Sequence, residues 1–80
     1  MDRDDFVARA AADTHLTERQ AEAYWYRHVV GQSRRETAEE MGTSASNVDN
    51  LERSASRKVR QARTLLELLD ASERGVADSE

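Results

Sequence analysis

Five residues within a ten-residue stretch, Ser44, Ser46, Asn47, Asn50 and Arg53, carry side chains suited to hydrogen-bonding the edges of nucleic-acid bases. Asparagine matches the donor and acceptor that adenine presents in the major groove, arginine matches the two acceptors of guanine, and serine is permissive. Ala45 among them allows close approach and contact with a thymine methyl. The Ser44 hydroxyl and the free amides of a helix beginning there suit a phosphate. Arg34, Arg35, Arg57 and Lys58 flank the stretch and supply cations for phosphate contacts. A plainer account also fits some of this pattern. Ser and Asn are common at helix starts, and cations on a long helix often form only a solvated face. Against it, acids thin out where base edges would lie; Asp49 and Glu52 are the discordant residues, and each can sit sideways.

The net charge of −4 argues at first against a nucleic-acid partner. Its distribution reverses that argument. Residues 1–43 hold nine acids and six bases, residues 44–64 two acids and five bases, and residues 65–80 five acids and one base. A basic stripe therefore lies between two acidic segments, and its local sign is what a phosphate backbone would meet. Eleven of the twelve bases are Arg, and acids and alanines are abundant. That bias resembles proteins of salt-loving archaea, although a GC-rich genome would produce it too.

These residues need a scaffold, and the sequence points to an all-α one. Proline is absent, and the three glycines fall at 31, 42 and 75. A first helix is expected over residues 2–13, with Phe6, Val7, Ala10 and Ala11 at helical spacing. Thr17 and Gln20 form a capping box for the next, with Leu16 placed as a hydrophobic staple. On that helix Ala21, Tyr24, Trp25 and His28 form one face and Ala23, Tyr26 and Val30 a neighbouring one, and Gly31 ends it. Ser33 and Glu36 repeat the capping signal, Thr37, Ala38 and Met41 face inward, and Gly42 suits a left-handed cap. After Thr43 and Ser44 nothing interrupts a helix until Leu69 or Ala71. Its apolar seam runs Val48, Leu51, Ala55, Val59, Ala62, Leu66 and Leu69. The composition from residue 71 to 80 predicts a disordered tail.

A short helix, a glycine-containing turn and a longer helix make a helix-turn-helix, here residues 33–41, 42–43 and 44 onward. Ala38 supplies the small residue at the crossing, and Val48 and Leu51 anchor the inner face of the second helix. The expected fold is thus all-α, three to four helices with a long C-terminal recognition helix. Residues 1–15 form a docking helix, 16–70 the helix-turn-helix domain and 71–80 the tail.

Three stretches carry a family resemblance: Leu16, Thr17, Glu18, Arg19 and Gln20; residues 36–44; and Asn47 and Val48 with Arg53, Ser54 and Ala55. Together they resemble the Tfx-like archaeal transcription regulators. More broadly they resemble the promoter-reading C-terminal domain of bacterial sigma factors and the LuxR-type DNA-binding domain. The resemblance implies that the helix after Ser44 enters the major groove of double-stranded DNA. The chain departs from the pattern at Thr37, where such domains carry Ile or Leu. It departs again at residues 28–31, a connection one residue longer than usual, and at Ala45, where a polar reader is common.

Leu65, Leu66, Leu68 and Leu69 crowd four leucines into five residues. A helix end projecting past a small core would leave them wet, which soluble monomers avoid. Either the first helix folds back over them or a second copy of the chain does, and both coverings are compatible. A homodimer through these leucines is the favoured expectation, because the core is small and two-fold regulators read paired half-sites. Tyr24, Trp25 and Tyr26 suit core or interface, His15 a loop, and His28 has no evident partner.

The chain has no cysteine, no phosphate-cradling glycine loop, no nucleophile–His–carboxylate set and no cluster of metal ligands. An enzyme is not expected, nor a cofactor, a metal or a small-molecule ligand. The acidic start and the lack of a long apolar run argue against a membrane segment, and a cytoplasmic location is expected. The rival to a DNA-binding regulator is a sigma-like adaptor or dimerisation module that has lost contact with DNA.

Overall fold

The computed structural model describes residues 1–78, with side chains for residues 1–73. Four helices succeed one another: α1 (Arg3–Asp13), α2 (Glu18–Tyr24), α3 (Arg34–Met41) and α4 (Ala45–Asp78). There is no strand among the described residues, and none of their helices is long and apolar enough to cross a membrane.

Local chemistry sets nearly every helix end. Asp2 caps α1 by accepting the Asp5 amide at 2.9 Å. At α2 the Thr17 hydroxyl accepts the Gln20 amide at 3.1 Å, and the Gln20 side chain accepts the Thr17 amide at 3.2 Å, so the capping box is complete. Ser33 accepts the Glu36 amide and Ser44 the Asn47 amide, each at 3.1 Å. Gly31 and Gly42 take left-handed conformations at φ 85° and 64°. In the turn of the helix-turn-helix, Thr43 donates its amide to the Ala38 carbonyl at 3.0 Å around Gly42, which closes the end of α3. A Cβ at Gly42 would meet nothing within 4 Å, so backbone conformation alone resists substitution there. Gly42→Ala is expected to cost about 1 kcal/mol in urea unfolding, and Gly42→Asn less, because Asn tolerates this region better.

The second helix changes gauge. From Trp25 to Val30 it continues as a π-helical segment, and Gly31 donates its amide to the Tyr26 carbonyl at 3.1 Å across five residues. A π turn absorbs an additional residue without breaking the helix, which is how the long connection at residues 28–31 is accommodated. It also shifts the helical phase of the residues after Tyr26. Val30, expected to share a face with Ala23 and Tyr26, is exposed together with Val29, whereas Ala23 and Tyr26 are buried.

The core is thin and built largely from alanine. One cluster joins Ala23, Tyr26, Ala38, Met41 and Val48, with Trp25 and Leu51 against it, and so unites the π segment, α3 and α4. The other joins Ala10, Leu16, Ala21 and Ala55, with Phe6, Val7 and Tyr24, and docks α1 on α2 and α4. Phe6 lies 5.2 Å from Trp25 ring to ring, and Arg3 hydrogen-bonds the Tyr26 hydroxyl. Small residues at the crossings let the backbones approach closely, leaving Val48 and Thr37 as the largest fully buried side chains.

α4 is longer than its sequence pattern marks. It passes the expected end at Leu69 or Ala71 and runs to Asp78, since no proline intervenes and a lone Gly75 is tolerated at a cost of about 1 kcal/mol. Residues 79 and 80 of the expected tail lie outside the described residues. The apolar seam, by contrast, packs only as far as Val59; every residue from 60 to 73 is exposed. α1 does not fold back over the leucines. It lies on α2 and the π segment and meets α4 at Ala55, leaving the four leucines exposed. With 34 residues in α4, the molecule is a rod with a globular head, 56 × 22 × 19 Å.

Candidate nucleic-acid interface

α3 and the first half of α4 pack on α2 through Ala38, Met41 and Val48, and this fixes which side of α4 faces outward. Ser46, Asn50, Arg53, Arg57 and Arg60 are all exposed, at intervals of four, three, four and three residues. They form one stripe along α4, opposite the buried Val48 and Ala55. No acid interrupts it. Arg53, Arg57 and Arg60 make no ion pair with the described residues. Arg35, exposed in the first turn of α3, is likewise unpaired among them. Arg60 was not among the expected contacts, although its spacing from Arg57 was a readable signal.

The other expected contacts are placed differently. Ser44 is exposed, and its hydroxyl accepts the Asn47 amide as the cap of α4. Asn47 is half-buried beside the turn, donating from Nδ2 to the Thr43 hydroxyl at 2.9 Å. Arg34 forks onto Asp49, with bonds of 3.2 and 2.7 Å, so it ties α3 to α4. Lys58 lies a quarter-turn or more from the stripe. Its Nζ donates to the His15 carbonyl at 2.6 Å and to Gln20 Oε1 at 2.7 Å, which fastens α4 to the loop before α2.

The two discordant acids are accounted for by the same geometry. Asp49 is held by Arg34, and Glu52 by His28, whose Nε2 lies 2.6 Å from Glu52 Oε1. Ser56 donates to the same oxygen at 3.0 Å, and the His28 ring stacks on Tyr24 at 4.5 Å. His28 thus has the partner that the sequence did not reveal, 24 residues away. Both acids sit sideways and join elements instead of facing outward.

The hydrogen bond from His28 holds the Glu52 carboxyl below its ordinary value, with Ser56 assisting and desolvation opposing. Ionised Glu52 therefore stabilises the fold above the ordinary carboxylate range, and that contribution is lost as pH falls through the lowered value. Glu52→Gln is expected to cost less than about 1 kcal/mol near neutral pH. Denaturant titrations in increasingly acidic buffers should show the gap to wild type closing. A gap that persists unchanged in strong acid would mean that the carboxylate is not its source.

A helix-turn-helix sets its second helix against DNA, and here that helix is capped by Ser44, backed by Val48 and carries the exposed, acid-free stripe. The family model for sigma-70 region 4 matches residues 14–66, from the loop before α2 to the middle of α4. The chain belongs to the sigma-70 region 4 family. Neither the curated proteins nor the solved structures yielded a match. Region 4 is a non-catalytic helix-turn-helix domain that binds DNA in transcription, so the chain is not an enzyme. The match spans the Thr17–Gln20 capping box, the Ser33 and Ser44 caps, the turn and the stripe, whereas α1 and the end of α4 lie outside it. The π segment and the buried Thr37 both lie within the matched residues.

Proposed function

We propose that this protein is a sequence-specific regulator of transcription, of the Tfx-like archaeal kind, working in the cytoplasm of a salt-loving cell. α4 enters the major groove of double-stranded DNA by its first four turns. The observation that carries this reading is the exposed stripe Ser46, Asn50, Arg53, Arg57 and Arg60. Ser46, Asn50 and Arg53 contact base edges, and Ser44 and Asn47 approach the same groove from the turn. Arg35 and Arg57 contact phosphates. Arg34 and Lys58 join them only by releasing Asp49, or His15 and Gln20, respectively. Two chains pair through Leu65, Leu66, Leu68 and Leu69, which suits a site with two-fold symmetry.

Selection of bound sequences from random duplex DNA, at low salt and again at about molar potassium chloride, tests this. Phosphate contacts weaken steeply as salt rises, so a regulator adapted to concentrated salt keeps its base preference when bulk affinity has fallen. Enrichment of one palindromic site under both conditions is the expected result. If no sequence is enriched at either salt level, the regulator reading fails and a protein-binding adaptor replaces it.

A further inference from the structure

Thr43 is held from both sides of the turn. Its backbone amide donates to the Ala38 carbonyl of α3 at 3.0 Å, around the left-handed Gly42. Its hydroxyl accepts from Asn47 Nδ2 at 2.9 Å, one turn into α4. The backbone amide of Asn47 donates to the Ser44 hydroxyl at 3.1 Å. Asn47 is therefore fixed through backbone and side chain alike, and Thr43 references its amide group to α3. Ser46, Asn50 and Arg53, by contrast, are exposed, with no side-chain hydrogen bond among the described residues.

This difference matters for base reading. A side chain ordered before contact loses less entropy on contact, so a fixed reader discriminates more sharply than a mobile one. Thr43 suits the holding role, because its branched side chain has few rotamers and its backbone is already tied to α3. Asn47 precedes Asn50 by three residues, hence lies about 60° from it around α4. It also lies nearer the N-terminus of the recognition helix, the end whose residues meet base edges in helix-turn-helix complexes.

The bond to Thr43 also selects what Asn47 can read. A side-chain amide has two N–H donors and one oxygen. In the major groove adenine offers its N6 amino group and N7, and so asks for one oxygen and one N–H. Giving one N–H to Thr43 leaves that set free. Had Asn47 turned its oxygen to Thr43, two N–H donors would face outward, the set that suits the acceptors of guanine or thymine.

We propose that Asn47 is the adenine-reading side chain of this domain and that Thr43 is a positioning residue acting through it, an inference that rests on the proposed DNA reading. The N–H turned away from the amide oxygen serves Thr43. The oxygen and the N–H beside it meet adenine N6 and N7. Asn50, lacking such a hold, discriminates less at its own position.

Selection of bound sequences from random duplex DNA, run side by side with variants, tests this. Wild type is expected to enrich adenine about tenfold at one position, and Asn47→Ala to lose that preference. Thr43→Val keeps the shape of the side chain and removes the hydroxyl. It should relax the same position to about twofold, while affinity for random DNA, carried by phosphate contacts, stays unchanged. Thr43→Ser keeps the hydroxyl and should hold the preference. Asn50→Ala should act at a different position. Relaxation by Thr43→Val at a position that Asn47→Ala leaves alone overturns the inference. So does a loss in Thr43→Ser as complete as in Thr43→Val, or a parallel loss of affinity for random DNA in Thr43→Val, since each marks a merely structural role. Guanine or thymine at the position set by Asn47 overturns the adenine assignment. If wild type enriches no sequence at all, DNA reading itself fails and takes this inference with it.

Discussion

Replacing Arg53 and Arg57 together by alanine is expected to lower affinity for the selected DNA site by about 100-fold at fixed salt. A bidentate arginine–guanine contact is worth about 1–3 kcal/mol, and each 1.4 kcal/mol is tenfold. Arg57, as a phosphate contact, should also reduce the slope of log affinity against log salt by about 1. Both side chains are exposed and unpaired among the described residues, so the variant should stay folded, within about 0.5 kcal/mol of wild type. The control is a change of equal charge off the stripe: Arg9→Ala with Arg63→Ala. Arg9 sits on α1 in a surface pair with Asp5, and Arg63 lies away from the line of Arg53, Arg57 and Arg60. If binding were a matter of net charge alone, the two double variants would lose affinity equally. Fluorescence anisotropy across a salt series separates these outcomes. Equal losses, or no loss at Arg53 and Arg57, would remove the stripe as the reading face.

The parts of this fold that were legible in the sequence are those set by neighbours three or four residues apart. Thr17 with Gln20, Ser33, Ser44 and the two left-handed glycines each act on their own backbone, so residue type and spacing suffice. What the sequence concealed depends on partners far along the chain. His28 meets Glu52, Arg34 meets Asp49, and Lys58 meets His15 at separations of 24, 15 and 43 residues. Those contacts divide the basic residues into fasteners and free cations, a division that local charge counting cannot make. The leucine seam is concealed in a related way. Helical spacing identifies an apolar face, but whether that face meets its own core depends on where the neighbouring helices stop. Here they stop near Val59. The π segment escaped detection for a different reason. No residue type demands it, and it arises from fitting one more residue between Ala23 and Gly31 while Tyr26 stays buried.

Thr37→Val is expected to stabilise the protein by about 1–2 kcal/mol, a large change for a domain whose core is mostly alanine. Thr37 is fully buried on the inner face of α3, and its Oγ1 has no hydrogen-bond partner. A buried hydroxyl without a partner forfeits its hydration and costs about 1–3 kcal/mol. Valine has nearly the same shape and replaces the hydroxyl by a methyl, so it removes that cost without overfilling the space. In a domain of this length, 1 kcal/mol moves Tm by about 4–8 °C, well within reach of a thermal melt. Thr37→Ser is the informative counterpart. It keeps the orphaned hydroxyl, deletes the methyl and should destabilise by about 1 kcal/mol. Because Thr37 has no exposed surface, DNA affinity at low temperature should be unchanged in both variants. If Thr37→Val instead lowers Tm, the hydroxyl is satisfied in solution, and its position in α3 would be a polar tie, not a defect in the core beneath the recognition helix.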